Sequence, residues 1–205
     1  MFISKGQNMR LRTLAILASL VLFVSCAPTR PALKELPVPP QRSEHKGFSL
    51  VPLNEAGWLI GLQQSSVLML GKRGTDPDEN FVIRAFTVLL PDFKSHDEFM
   101  GFARTAIHEN DPVRFKPLSE EAKTVTVKGQ SCGRTKTLTE DHGAVKRTKR
   151  SDFMLLEAHS LVCPHPQKKM AVVVAYSHRY YPGNADSETA RKADGIFETV
   201  EFADF

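Results

Sequence analysis

The sequence lacks an apolar stretch of the length that a membrane-spanning helix requires, which is roughly 20 residues. Its N-terminal apolar run extends only from Leu14 to Val24, and the polar, proline-containing segment Ala27-Pro28-Thr29-Arg30 soon follows. The chain also lacks the composition of a disordered or fibrous protein, because 41% of its residues are hydrophobic and 24% are charged. These absences leave one folded domain and additional segments within 205 residues.

The first 25 residues have the order of charge and hydrophobicity that is typical of a secretory signal. Lys5, Arg10 and Arg12 precede the apolar run, and no acidic residue occurs before Glu35. A positive segment, a short apolar segment and a small residue in this order direct a chain to export. We therefore interpret residues 1–25 as a signal peptide rather than as part of the fold.

The end of the signal carries a more specific motif. Phe23-Val24-Ser25-Cys26 resembles the lipobox of bacterial lipoproteins, with phenylalanine where the motif usually has leucine. The resemblance implies that Cys26 is lipidated, becomes the mature N-terminus and tethers the domain to a membrane, facing the periplasm. Two or three acyl chains anchor a protein stably, whereas one is marginal. Because Ala27 rather than aspartate follows, analogy with enteric bacteria favours the outer membrane over the inner membrane.

An excess of charge of one sign is missing from the exported chain. Three of the 27 Lys and Arg residues precede Cys26, so that 24 positive residues remain against 23 negative ones. A nearly neutral chain gives no general electrostatic attraction to nucleic acid, and an exported protein is also in the wrong compartment for it. We therefore predict a membrane contact through the lipid anchor and no nucleic-acid partner.

The chain contains few cysteines, and their number is informative. One of the three cysteines is the predicted lipidation site, which leaves Cys132 and Cys163 as an even pair in an oxidising compartment. We predict that these two residues form a disulfide. By loop-closure entropy, a bond across this 31-residue separation stabilises the fold by about 3–4 kcal/mol.

Proline content and hydrophobic patterns divide the chain into three parts. Residues 1–25 are the signal peptide, residues 26–47 hold the lipidated cysteine and a proline-rich linker, and residues 48–205 form a single domain. A first helix is predicted from a capping box at Ser95-His-Asp-Glu98 to Asp111-Pro112, and a second near 187–200. Strands are predicted near 57–62, 66–70, 81–90, 124–128, 132–140, 153–163 and 170–180.

This order of elements predicts an α+β domain with an antiparallel sheet of about six to seven strands covered by two helices. The same order resembles the PsbP-like fold, which is named for an extrinsic subunit of the photosynthetic oxygen-evolving complex. The resemblance extends over the whole domain and rests on element order rather than on a sequence motif. A cystatin-like or other helix-on-sheet arrangement is the competing interpretation. Neither implies an activity, because a fold does not define a function.

The sequence shows no recognisable catalytic or calcium-binding motif. Asp76-Pro-Asp-Glu-Asn80 opens like a calcium loop, but Phe81 and Thr87 stand where glycine and glutamate are required, so that the segment is read as a turn. His108-Glu109 is not followed by the second histidine of the zinc-protease helix. A catalytic serine elbow and a phosphate-binding glycine loop are also missing.

One group of side chains contains residue types that bind transition metals. Glu157, His159 and Cys163 alternate along a predicted strand with His165 just beyond it, and His178 of the next strand would approach them. Against this, Cys163 has a predicted disulfide partner and two prolines interrupt the strand beside it. We predict no metal and no cofactor.

The clearest charge feature lies between Lys123 and Arg150, with eight positive residues against two negative ones. Its tightest part is Lys146-Arg147-Thr148-Lys149-Arg150, which we call the basic loop. It falls in a predicted hairpin connection and would contact an anionic surface, such as phospholipid, lipopolysaccharide or an acidic envelope protein. The competing interpretation is a solvated loop whose charge keeps the hairpin soluble.

A lipid anchor, one domain and no catalytic motif together predict a non-enzymatic binding or accessory module at the cell envelope. Two alternatives remain, an envelope hydrolase and a small-ligand carrier with a pocket that the sequence does not reveal. A deep pocket lined by converging polar groups would favour the hydrolase, and a mostly apolar cavity would favour the carrier.

Overall fold

The computed structural model describes residues 33–107, 111–148 and 150–203. Within these residues the chain forms eleven strands and two helices. In chain order they are β1 (Lys34–Glu35), β2 (Ser43–His45), β3 (Phe48–Leu50), β4 (Leu59–Gln64), β5 (Val67–Arg73), β6 (Asn80–Leu89), α1 (His96–Thr105), β7 (Phe115–Val127), β8 (Gln130–Asp141), β9 (Met154–Pro164), β10 (Met170–Tyr180), α2 (Thr189–Phe197) and β11 (Glu201–Phe202). Neither described helix is long and apolar enough to cross a membrane.

Eight strands form the main sheet, in the order β1-β4-β5-β6-β10-β9-β8-β7, and all neighbours are antiparallel. A two-residue turn joins β7 to β8, with φ of 47° at Lys128 and 80° at Gly129. Positive φ at both positions matches the twist of the flanking strands, which is why glycine suits this turn. A second sheet of three strands, β11-β3-β2, pairs the end of the described chain with a segment near its beginning.

Helix α1 begins where the sequence predicts it. The Ser95 side chain accepts a hydrogen bond from the backbone N–H of Glu98, at 3.2 Å, which confirms the cap. The Glu98 carboxylate accepts the N–H of Lys94 rather than that of Ser95, so that the reciprocal bond is displaced by one residue. Phe99 and Ala103 are the buried side chains of the helix and turn it toward the main sheet.

The larger core lies on the face of the main sheet that α2 and the second sheet cover. Even-numbered residues of β10, such as Val172, Val174 and Tyr176, point to this side. Its other large buried side chains include Phe48, Leu50, Trp58, Leu68, Leu70, Ile83, Leu161 and Ile196. Burial of each such side chain contributes roughly 1.5–3 kcal/mol, so that this layer holds most of the hydrophobic stabilisation.

The opposite face of the main sheet, which we call the α1 face, carries a smaller core beneath α1. Ala171 and Val173 of β10 pack there against Phe99 and Ala103. A Cβ atom added to Gly133 of β8 would lie 2.5 Å from the Cβ of Ala103. Glycine at this position therefore allows the helix to approach the sheet closely.

The predicted disulfide between Cys132 and Cys163 is confirmed. It joins directly opposite positions of β8 and β9, one step beyond the register pair of Gly133 and Val162, with a Cα–Cα distance of 4.4 Å. Both cysteines are fully buried in the larger core. The bond therefore lies on the face opposite α1.

The predicted sheet of six to seven strands covered by two helices is wrong. The main sheet has eight strands, a second sheet has three, and helices of ten and nine residues cover only parts of it. Short strands at 34–35, 43–45 and 201–202 carry too few residues to show a period, and the first two lie in the proline-rich segment. Strand β7 is mostly exposed and contains several charged residues, so that hydrophobic alternation predicts only its last residues as a strand.

Candidate functional site

Helix α1 covers only part of the α1 face. Eight strands spaced by about 4.8 Å make a sheet roughly 34 Å wide, whereas ten helical residues are about 15 Å long. The helix lies over a row of large side chains, Phe86, Val173 and Val162, which the strand register aligns. Toward the end of β8 and β10, the same face is not covered by α1.

A groove of about 610 Å³ occupies this region. Its floor follows from the register, which aligns one row of residues across four strands: Val82, Ser177, Ala158 and Thr137. Ala175 lies in the neighbouring row. Three of these five side chains are alanine or serine, and such small side chains leave a trough where large ones under α1 fill the space.

The segment after α1 forms one wall of the groove. Ile107, Pro112 and Phe115 line this wall, on the side of the groove where the edge strand β7 begins. Met69 of β5 lines the opposite side and is 38% exposed. Apolar side chains therefore bound the groove at both of its ends across the sheet.

Apolar surface continues beyond the groove. Leu62 pairs with Met69 across β4 and β5 and shares its face of the sheet, at 36% exposure. On the other side, Val113 is 84% exposed next to the groove-lining Pro112. Exposed apolar side chains that adjoin a concavity are typical of binding surfaces.

One end of the groove is fixed by a buried carboxylate. Asp141 is fully buried, and its two oxygens accept hydrogen bonds from Arg114 at 2.7 and 3.0 Å. Arg179, which lines the groove, lies 2.9 Å from the same carboxylate. Burial alone would raise the pKa of Asp141, but the two arginines hold the pKa below its usual value. The charged carboxylate thus positions both guanidinium groups.

A second arginine lines the groove near its β5 side. The Arg84 guanidinium lies 4.9 Å from the ring centroid of Phe86, and the residue is exposed. In the register Arg84 stands between Met69 and Ala175. Among the described residues, no carboxylate forms an ion pair with Arg84. Its positive charge is therefore available at the groove.

The basic loop is held against the predicted turn at 76–80. Asp78 of that turn accepts the backbone N–H groups of Arg147 and Thr148, at 2.7 and 2.9 Å, and the hydroxyl of Tyr181 at 2.8 Å. Burial would raise the pKa of Asp78, but these hydrogen bonds hold the pKa well below its usual range. A polar anchor thus fixes the backbone of the basic loop.

Part of the charge of the basic loop is paired within the domain. Arg150 lies 2.7 Å from the Asp76 carboxylate, and Lys146 donates a hydrogen bond to a backbone carbonyl just before β9. Lys149 and the predicted lipidation site Cys26 lie outside the described residues. Contact of the basic loop with an anionic surface stays a prediction.

The structure brings together part of the histidine group considered for a metal. His178 pairs with Glu157 in the register of β10 and β9, and the His159 imidazole lies 2.8 Å from the Glu157 carboxylate. The His178 Nε2 instead lies 2.7 Å from Glu79. His165 bonds to a backbone carbonyl beyond β11. Within the described ranges, no group of three His, Cys, Asp or Glu side chains is arranged to hold a metal ion.

Sequence reasoning missed the groove. The available signal was a set of small residues, Ala158, Ala175 and Ser177, inside the two strands with the strongest apolar patterns. Arg84 within an otherwise apolar strand was a second signal. Neither indicates a cavity until the register of the sheet places these residues side by side.

Comparison with solved structures finds several similar chains. The protein is similar to cyanobacterial PsbP from Synechocystis sp. PCC 6803, at 13% identity and a TM-score of 0.42, over 88% of this chain and 99% of that one. It is also similar to the Ran-binding protein Mog1p of Saccharomyces cerevisiae, at 11% identity and a TM-score of 0.47, over 84% of this chain and 97% of that one.

A mutant of protein Mog1 gives a third match, at 12% identity and a TM-score of 0.45, over 80% of this chain and 97% of that one. A PsbP structure is among the similar chains. No family model matches the sequence, and no curated protein matches it. Likeness at this level does not transfer a function.

Proposed function

We propose that this protein is a membrane-tethered envelope lipoprotein whose domain is a non-enzymatic binding or accessory module. The anchor is lipidated Cys26, and the domain faces the periplasm, with the outer membrane favoured over the inner membrane by Ala27. The binding surface is the groove on the α1 face, and the module works without a cofactor. Its ligand is an envelope component or an envelope protein.

The groove is the observation that supports the binding function. Its volume of about 610 Å³ falls within the range of roughly 300–1,000 Å³ that binding sites occupy. Apolar walls supply affinity, while the hydroxyls of Ser177, Thr137 and Thr139 and the guanidinium groups of Arg84 and Arg179 supply orientation. A mainly apolar concavity with a few converging polar groups is typical of recognition.

Mass spectrometry of the mature N-terminal peptide tests the anchor. We expect the peptide to begin at Cys26 and to carry acyl chains, and we expect the Cys26→Ser variant to yield no acylated peptide. A mature chain that begins elsewhere, or an unmodified Cys26, would contradict the lipoprotein assignment.

A photoreactive amino acid at position Met69, which lines the rim of the groove, tests the groove in cells with the full-length exported protein. The control is the same amino acid at Lys123, which lies on the opposite face of the sheet, and a third position, Val145, reports on the basic loop. We expect more crosslinked product from Met69 than from Lys123, and loss of that product when Ala158→Leu fills the floor. Equal, low crosslinking at Met69 and Lys123 would refute the groove as the binding surface. Product from Val145 alone would assign binding to the basic loop.

A further inference from the structure

The shape of the groove favours a small elongated ligand over a folded partner. It runs across the strands from Met69 on β5 to Phe115 on β7, along the row of small floor residues. These two strands are five positions apart in the sheet order, which corresponds to roughly 24 Å. A trough that crosses several strands, with a volume typical of small-molecule sites, can accommodate an extended apolar chain.

The charges at the groove have a net positive sign. Arg84, Arg114 and Arg179 stand against the carboxylates of Asp141 and Asp111, that is, three positive groups against two negative ones. Asp111 lies at the groove wall, where its Oδ1 accepts the backbone N–H groups of the two residues before β7. Arg179 and Arg114 share Asp141, whereas no carboxylate among the described residues forms an ion pair with Arg84, so that the Arg84 charge is available to a ligand.

The position of Arg84 defines an orientation for the ligand. It sits near the β5 side of the groove, between Met69 and Ala175, whereas the apolar floor continues from there over Ala158 toward Phe115. An anionic group at Arg84 would leave the rest of an attached chain in contact with apolar side chains. A guanidinium that rests on an aromatic ring presents its N–H groups to such an anion.

We propose, on the basis of the proposed binding function, that the groove binds a single-chain amphiphile with an anionic head. The head contacts Arg84, and the chain lies over Ala158 and ends near Phe115. Free fatty acids and lysophospholipids share this chemistry, and both occur where a lipoprotein is anchored.

Photolabelling in isolated envelope membranes tests the proposal with the full-length protein. The probe is dodecanoic acid that carries a diazirine near its chain end, and the matched neutral probe is the corresponding dodecanol. We expect the acid to label peptides of β9, β10 or residues 111–117, and unlabelled dodecanoic acid or a lysophosphatidylglycerol to compete. Competition by only one of these two identifies the source of the ligand.

Two kinds of variant separate the charge from the groove. Arg84→Met keeps an apolar stem of similar length, and we expect it to raise the half-saturating concentration of the acid probe about tenfold, as loss of one charged hydrogen-bonding contact does. The alcohol probe should change less than twofold. Ala158→Leu and Ser177→Leu fill the floor from different strands and should abolish labelling by both probes. Lys123→Met removes a charge on the opposite face and should leave labelling by both probes unchanged.

The outcomes distinguish the inference from the function on which it rests. Equal labelling by the acid and alcohol probes, or an Arg84→Met variant that binds the acid normally, overturns recognition of an anion and leaves the groove as a binding surface. Labelling that avoids the groove in the wild type overturns the amphiphile altogether. The binding function itself fails only if the photoreactive amino acid at Met69 also captures nothing above the Lys123 control.

Discussion

Removal of the disulfide should lower the stability of the domain without abolishing its fold. In the variant Cys132→Ala/Cys163→Ala, the unfolded chain regains the freedom that closing a 31-residue separation removes. Loop-closure entropy gives a loss of about 3–4 kcal/mol for a loop of this size. Single domains are stable by about 5–15 kcal/mol, so that the reduced protein should remain folded at 25 °C.

The natural reporter for this measurement is Trp58. It is the only tryptophan, it is fully buried in the larger core, and its fluorescence should change when that core opens. With a urea dependence of about 2 kcal/mol per molar, a loss of 3–4 kcal/mol lowers the unfolding midpoint by roughly 1.5–2 M. A soluble form that begins after Cys26 is suitable, and the wild type with reductant serves as a second route to the same state.

A small loss of stability would contradict this prediction. If both the reduced wild type and the alanine variant lose less than about 1 kcal/mol, then the bond does not act through loop closure as argued. Crosslinking from Met69 provides the functional control. Since the disulfide lies on the face opposite the groove, the alanine variant should retain that crosslinking, and its loss would show that the two faces are coupled.

Two further changes probe the packing of α1 and the buried carboxylate, both by the same urea titration. Gly133→Ala should lower the free energy of unfolding by about 1–3 kcal/mol, because the new methyl group collides with Ala103. An added Ala103→Gly should recover part of this loss. An unchanged urea midpoint in the single variant would contradict the close approach of helix and sheet. Asp141→Asn should cost roughly 2–3 kcal/mol at pH 7, since two arginines lose their partner. The folded-state pKa of Asp141 lies below its unfolded value, so that its contribution is present above about pH 4 and is lost as the pH falls through the folded-state pKa. The variant should therefore lose less stability than the wild type on acidification, and parallel losses would exclude the role assigned to this carboxylate.

The parts of the fold that the sequence predicts well are those with a strong local signal. The strands predicted at 153–163 and 170–180 are found at Met154–Pro164 and Met170–Tyr180, because both faces of these central strands are buried and both carry apolar residues. The cap at Ser95 is likewise a local bond between neighbouring residues. Such features are determined by neighbouring residues and can be predicted without the rest of the chain.

The groove depends on contacts that no local pattern contains. Thr137, Ala158 and Ser177 come from three strands that are distant in sequence, and only their register places them in one row. The same holds for the basic loop, where Asp78 is about seventy residues from the backbone groups it binds. A charge run in sequence therefore predicted exposed cations, whereas the anchoring carboxylate became visible only in the fold.

The edge strand β7 has a further consequence for a protein held at a surface. It pairs only with β8 among the described strands, so that no second strand covers its outer edge. In the proposed tethered state, copies would diffuse in two dimensions at high local concentration, and open sheet edges of different copies would meet often. Glu120, Glu121 and Lys123 place charges along this edge, and Pro117 with its neighbouring bulge interrupts its regularity. Such features oppose intermolecular strand pairing, so that the polar sequence of β7, which gave little strand signal, would also protect the proposed lipoprotein from aggregation.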